Sequence, residues 1–159
     1  MKQSLILSEK LHPKVDSLDL ERFSWKILND KNRSESISQV LVDISEKEYR
    51  RFLTLKVENP DVRLTPTPLM DLFWHAHILD TISYAEDCEK ILGGFMHHVP
   101  NFGPYQKEEV FFNEEKSWND TLSLYKQRFG EEPILGGIHD EGNCSTDQCH
   151  GCRADCYDL

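Results

Sequence analysis

The sequence has no apolar run approaching the ~20 residues that a membrane-crossing helix needs. Its opening stretch, Met1 to Pro13, offers only Leu5-Ile6-Leu7 as an apolar core, too short for the hydrophobic region of a secretory signal. It is also short of positive charge. Eighteen lysines and arginines stand against 28 acidic residues, a net charge of −10 that repels nucleic-acid phosphate and anionic membrane surfaces. Cysteine is nearly missing from the body, where Cys88 stands alone, so no disulfide framework staples the fold. These absences argue against membrane insertion, secretion and nucleic-acid binding, and lead us to expect a cytoplasmic protein with neither nucleic acid nor membrane among its partners. The 159 residues suit one domain of ordinary size.

Composition divides the chain. From His139 onward aliphatic residues almost vanish, and Cys144, Cys149, Cys152 and Cys156 crowd into the last sixteen positions among acidic neighbours. Such a stretch buries too little apolar surface to offset its ordering entropy. We therefore expect a folded domain over residues 1–138 and a flexible, disordered acidic tail over 139–159.

Helical punctuation fills the body. Leu18 to Leu28 reads as a helix behind Asp16, although Phe23, Trp25 and Ile27 alternate as a strand would. Ile37, Val40, Leu41 and Ile44 share one helical face. Ser45 and Glu48 have capping-box spacing, so a second helix or a bend is expected at Ser45. Thr67 with Pro68 forms a helix start, and nothing in the residue types interrupts a helix from there to Leu92, before Gly93. Apolar residues wrap most of that helix, which argues for a long, central, largely buried element. A last helix runs from Phe111 to Phe129, with Gly130 as its stop. Between the two, residues 93–106 form a loop. The expected fold is all-α, a compact bundle of four to five helices.

Histidine carries the chemical signal. His75 and His77 lie on the central helix after Trp74, and His97 and His98 lie in the loop that follows. Residues two apart on a helix point about 200° apart, so His75 and His77 cannot share one ion. The zinc-protease pattern His-Glu-x-x-His is also missing. His77 shares a face with Trp74, Tyr84 and Cys88, and Asp80 follows one turn later. We expect His77 and Asp80 to combine with His97 or His98 as a nitrogen–oxygen metal site for zinc or iron, only one of the adjacent loop histidines reaching it. For His77, a buried polar network is an equally weighted reading. His75 lies four residues after Asp71, whose carboxylate would fix its tautomer in a structural pair. Cys88 reads as a buried apolar residue, and Glu86 and Asp87 as solvated surface.

Asp71-Leu72-Phe73-Trp74-His75-Ala76-His77-Ile78-Leu79-Asp80-Thr81, followed by Tyr84, Asp87-Cys88, Gly94-Phe95 and His97-His98-Val99-Pro100, resembles the glycine-rich domain-containing protein-like family. Glu48-Tyr49-Arg50-Arg51-Phe52-Leu53, Thr121, Leu124-Tyr125 and Phe129-Gly130 also look like its short bacterial members. The resemblance covers roughly residues 37 to 130 and implies no defined reaction. Longer plant members carry a glycine-rich region, and sometimes an RNA-binding module. With eight glycines and no RNA-recognition signature, this chain departs from them.

Cys144-x4-Cys149-x2-Cys152-x3-Cys156, with His150 between, offers four thiolates suited to zinc or copper(I). Two functions follow from these observations. One is a metal-binding protein with a His/Asp core site and a thiolate-rich tail, Tyr84 or the spare histidine serving as proton donor if the core site reacts. The other is a non-enzymatic module that binds a protein partner through the loop from His97 to Tyr105, its His/Trp/Tyr cluster being structural.

Overall fold

The computed structural model describes residues 10–33, 36–100 and 113–136. The tail from 139 onward, with its four cysteines, lies outside the described residues, as does the second half of the loop expected over 93–106. The described residues form an all-α bundle of six helices: α1 (Pro13–Asp16), α2 (Glu21–Leu28), α3 (Gln39–Glu58), α4 (Pro68–Leu79), α5 (Thr81–Leu92) and α6 (Glu114–Phe129).

The long central element is α3, which packs against every other helix. Ser38 caps it, its hydroxyl accepting from the Leu41 amide. The bend expected at Ser45 is absent and α3 runs unbroken for 20 residues. The Ser45 hydroxyl donates instead to the carbonyl of Leu69 on α4, and Glu48 is buried beside Arg51. A small residue at 45 lets α4 approach closely, and its polar atom is satisfied across the helix pair. The buried stripe runs through Val42, Ser45, Tyr49 and Phe52, whereas Val40 of the expected face is 67% exposed.

Thr67 caps α4 and Pro68 opens it, as the residue types require. Almost every residue from Pro68 to Trp74 is buried, because α2, α3 and α5 surround this helix. The run that reads as one helix to Leu92 breaks at Asp80. This residue leaves helical geometry (φ −90°, ψ 77°), ends α4, and caps α5 by accepting from the Ser83 amide at 3.3 Å. An aspartate side chain competes with the helix for backbone amides, which makes it a better starter than interior residue. Gly93 (φ 71°) and Gly130 (φ 77°) end α5 and α6 in the left-handed conformation.

A buried polar link ties α6 to α3. Arg51 Nη1 donates to the Tyr125 hydroxyl (2.6 Å) and to Glu131 (2.6 Å), and the Tyr125 hydroxyl donates to Glu48 (2.7 Å). Thr121 and Ser117 of the same helix hold the strap that enters α4. Thr65 N–H donates to Thr121 Oγ1 and Ser117 Oγ donates to the Arg63 carbonyl.

Candidate metal centre

The corner at Asp80 decides which residues meet. On a straight helix, residues ten apart stand about 15 Å apart along the axis. Here α5 folds back against α4, so Trp74 Nε1 donates to the Tyr84 hydroxyl at 2.8 Å, and His77 Nε2 lies 3.0 Å from Asp87 Oδ2. The Tyr84 hydroxyl in turn donates to the Met96 carbonyl at 2.5 Å, which draws the chain beyond Gly93 back over α4.

That return places His98 on the outer face of α4. Its Nε2 lies 2.8 Å from Asp71 Oδ1 and 3.0 Å from His75 Nε2, and His75 Nε2 is 3.3 Å from Asp71 Oδ2. Among the described residues, Asp71, His75 and His98 are the group whose ligand atoms converge within 4.8 Å of one another. Asp71 is buried, His98 partly covered, and His75 half exposed. The Trp74 ring packs on His98, with centroids 4.5 Å apart. Burial pushes the His75 imidazole toward its neutral form, with Asp71 pulling the other way and His98 reinforcing burial.

Two protonation patterns fit this triangle. Each ring can donate its Nε2–H to its own Asp71 oxygen, His98 to Oδ1 and His75 to Oδ2. If both rings carry their proton on Nδ1, two nitrogen lone pairs and a carboxylate face one another. A cation at the centre satisfies all three together. With metal–ligand bonds of about 2.0–2.1 Å, neighbouring donors in tetrahedral or octahedral coordination stand roughly 2.9–3.4 Å apart. The two imidazole nitrogens, 3.0 Å apart, fall in that range, and Asp71 faces them with Oδ1 2.8 Å from His98 and Oδ2 3.3 Å from His75.

The structure distributes the expected ligands differently. His98 is in the triangle, together with Asp71 and His75, which the sequence reading had paired only to fix a tautomer. His77, Asp80 and His97 are outside it. Asp80 caps α5 and pairs with Arg22 at 3.1 Å. His97 is exposed, its ring edge-on to Phe95. His77 is buried on the opposite face of α4, with the Tyr49 hydroxyl 3.0 Å from Nδ1 and Asp87 at Nε2. Phe23 and Tyr84 rings pack against it. Burial disfavours its charged form, Asp87 offsetting part of that, so neutral His77 donates from Nε2 to Asp87 and accepts from Tyr49. Both nitrogens are thereby used, as in the polar-network reading of this residue.

Asp87 is not the solvated surface residue its sequence context suggests, because the corner aims it at His77. The Tyr84 hydroxyl is committed to Met96 and Trp74, and burial pushes its ionisation up. Cys88 is buried, as expected. Asp71 with His75 had a sequence signal, the i,i+4 spacing on one helix. Joining His98 to them required the fold.

A family model described as UCP032817-like matches residues 14–111, a span that includes all three triangle residues. Two curated proteins of Arabidopsis thaliana are similar to the chain. Glycine-rich domain-containing protein 2 is 26% identical over 116 residues, and glycine-rich domain-containing protein 1 is 25% identical over 115. Each alignment covers 70% of this chain but 14% of the relative, so the chain spans about a seventh of the length of these proteins. No solved structure matches.

Proposed function

The chain belongs to the UCP032817-like family, a glycine-rich domain-containing protein-like group, and from that premise we propose that it is a metal-binding protein whose Asp71, His75 and His98 hold one divalent transition-metal ion. The observation that carries this reading is the convergence of one carboxylate and two imidazole nitrogens at separations of 2.8–3.3 Å. Two imidazoles and one carboxylate suit zinc or iron(II), whereas calcium and magnesium prefer oxygen donors throughout. Helix α4 supplies two donors at i,i+4, and the Trp74–Tyr84–Met96 chain steadies the loop that supplies the third. The cysteines at 144, 149, 152 and 156 form a second, softer site for zinc or copper in this proposal, able to collect the metal.

The test is metal content by inductively coupled plasma mass spectrometry, on protein purified without a histidine tag and kept reduced. Zinc or iron near one equivalent is expected in a chain ending at Ile138, with loss in the Asp71→Asn and His98→Ala variants of that chain, and up to one further equivalent in the full chain from the cysteines. Metal in the full chain alone would assign binding to the cysteines and refute the triangle. Metal in neither would leave the interaction module, with its cluster purely structural, as the better account.

A further inference from the structure

Three protein donors do not complete the coordination of zinc, which takes four ligands, or of iron(II), which commonly takes more. Among the described residues no fourth His, Cys, Asp or Glu ligand atom joins the group. The two sides of the triangle differ. Toward the protein, Asp71 is 6% exposed and Trp74 covers His98. Two polar groups on that side have other partners: Trp74 Nε1 bonds Tyr84, and the Tyr84 hydroxyl bonds Met96. Toward solvent, half of the His75 side chain is exposed.

Charge adds to this asymmetry. A divalent ion with one carboxylate and two neutral imidazoles carries a net charge of about +1, and the Trp74 wall lowers the local dielectric. A small anion entering from the solvent side would complete both the coordination and the charge. Resting on the metal reading above, we propose that the ion keeps an exchangeable coordination position on the His75 side, and that this position takes a small anionic ligand: hydroxide at rest, and a carboxylate or similar oxyanion group when a ligand arrives. A position of this kind separates sites that bind or activate a ligand from closed structural sites.

Cobalt(II) and azide are suitable probes, because the visible bands of cobalt report its ligand set. The full chain carrying Cys144→Ser, Cys149→Ser, Cys152→Ser and Cys156→Ser, so that cobalt reports the triangle alone, is loaded with cobalt(II), freed of excess ion, and titrated with azide while retained cobalt is measured. The expected result is a saturable shift of the bands with cobalt retained. Bands that stay unchanged would overturn the proposal by showing a sphere closed by the protein, and would leave the metal reading standing. Bands that fade as cobalt is released would also overturn it. Failure to bind cobalt would remove the metal reading itself. His97→Ala, which alters an exposed histidine outside the triangle, should respond to azide as the parent does. Loss of its response would place the anion on His97 instead and overturn the proposal.

Discussion

At the scale of single residues, the two faces of α4 set His75 and His77 to different tasks. His77 has both nitrogens hydrogen-bonded and is enclosed by Phe23, Tyr49 and Tyr84. His77→Ala removes a buried ring and strips Tyr49 and Asp87 of their partner, at an expected cost of about 3 kcal/mol. Urea denaturation measures that cost, and bound metal should be unchanged, since His77 lies outside the triangle. An equal loss of metal would mean that His77 supports the site directly. The sequence allowed His75 and His77 to be separated, because helical geometry alone sends them to opposite faces. It did not reveal which face held the cluster, because the deciding partners, Asp87 and His98, lie ten and 23 residues away from them.

At the scale of elements, the corner between α4 and α5 makes the difference. Caps were legible: Thr67 with Pro68, Gly93 and Gly130 all stand where their chemistry requires. The break at Asp80 was not, since aspartate is tolerated inside helices and only the packing of α5 onto α4 favours its capping conformation. Treating residues 68–92 as one rod put Tyr84 and Asp87 far from Trp74 and His77, and so directed the expected site toward Asp80. Two substitutions probe this segment. Tyr84→Phe deletes both the bond to the Met96 carbonyl and the one from Trp74 Nε1, and should cost about 2 kcal/mol of stability. It should also weaken zinc affinity by about 10- to 100-fold, as measured by competition with a chelator, because it loosens the segment that presents His98. Gly93→Ala meets no atom within 4 Å, so its cost arises from backbone geometry alone at φ 71°. About 1–2 kcal/mol is expected, read as a fall in midpoint on thermal unfolding.

At the scale of the whole molecule, α3 is the axis on which the other helices assemble, and the Glu48–Arg51–Tyr125 link fixes α6 to it. The all-α class was readable from apolar spacing. The interior of α3 was not, because Ser45, Glu48 and Arg51 resemble surface residues until α4 and α6 cover them. An ion that binds only the folded chain should raise global stability by about 2.7 kcal/mol at a free concentration a hundredfold above its dissociation constant. Differential scanning calorimetry with and without zinc should show the corresponding rise in melting temperature, and Asp71→Asn should abolish it. The Tyr84–Met96 bond has one further consequence, in time rather than energy. Helix α5 holds the His98 segment through the Tyr84–Met96 bond and the Tyr84–Phe95 ring contact, so swinging α5 away from α4 frees the segment that presents one of the three donors. The residence time of a bound ion should therefore follow the opening frequency of α5, and amide exchange in that helix would act as a clock for its release.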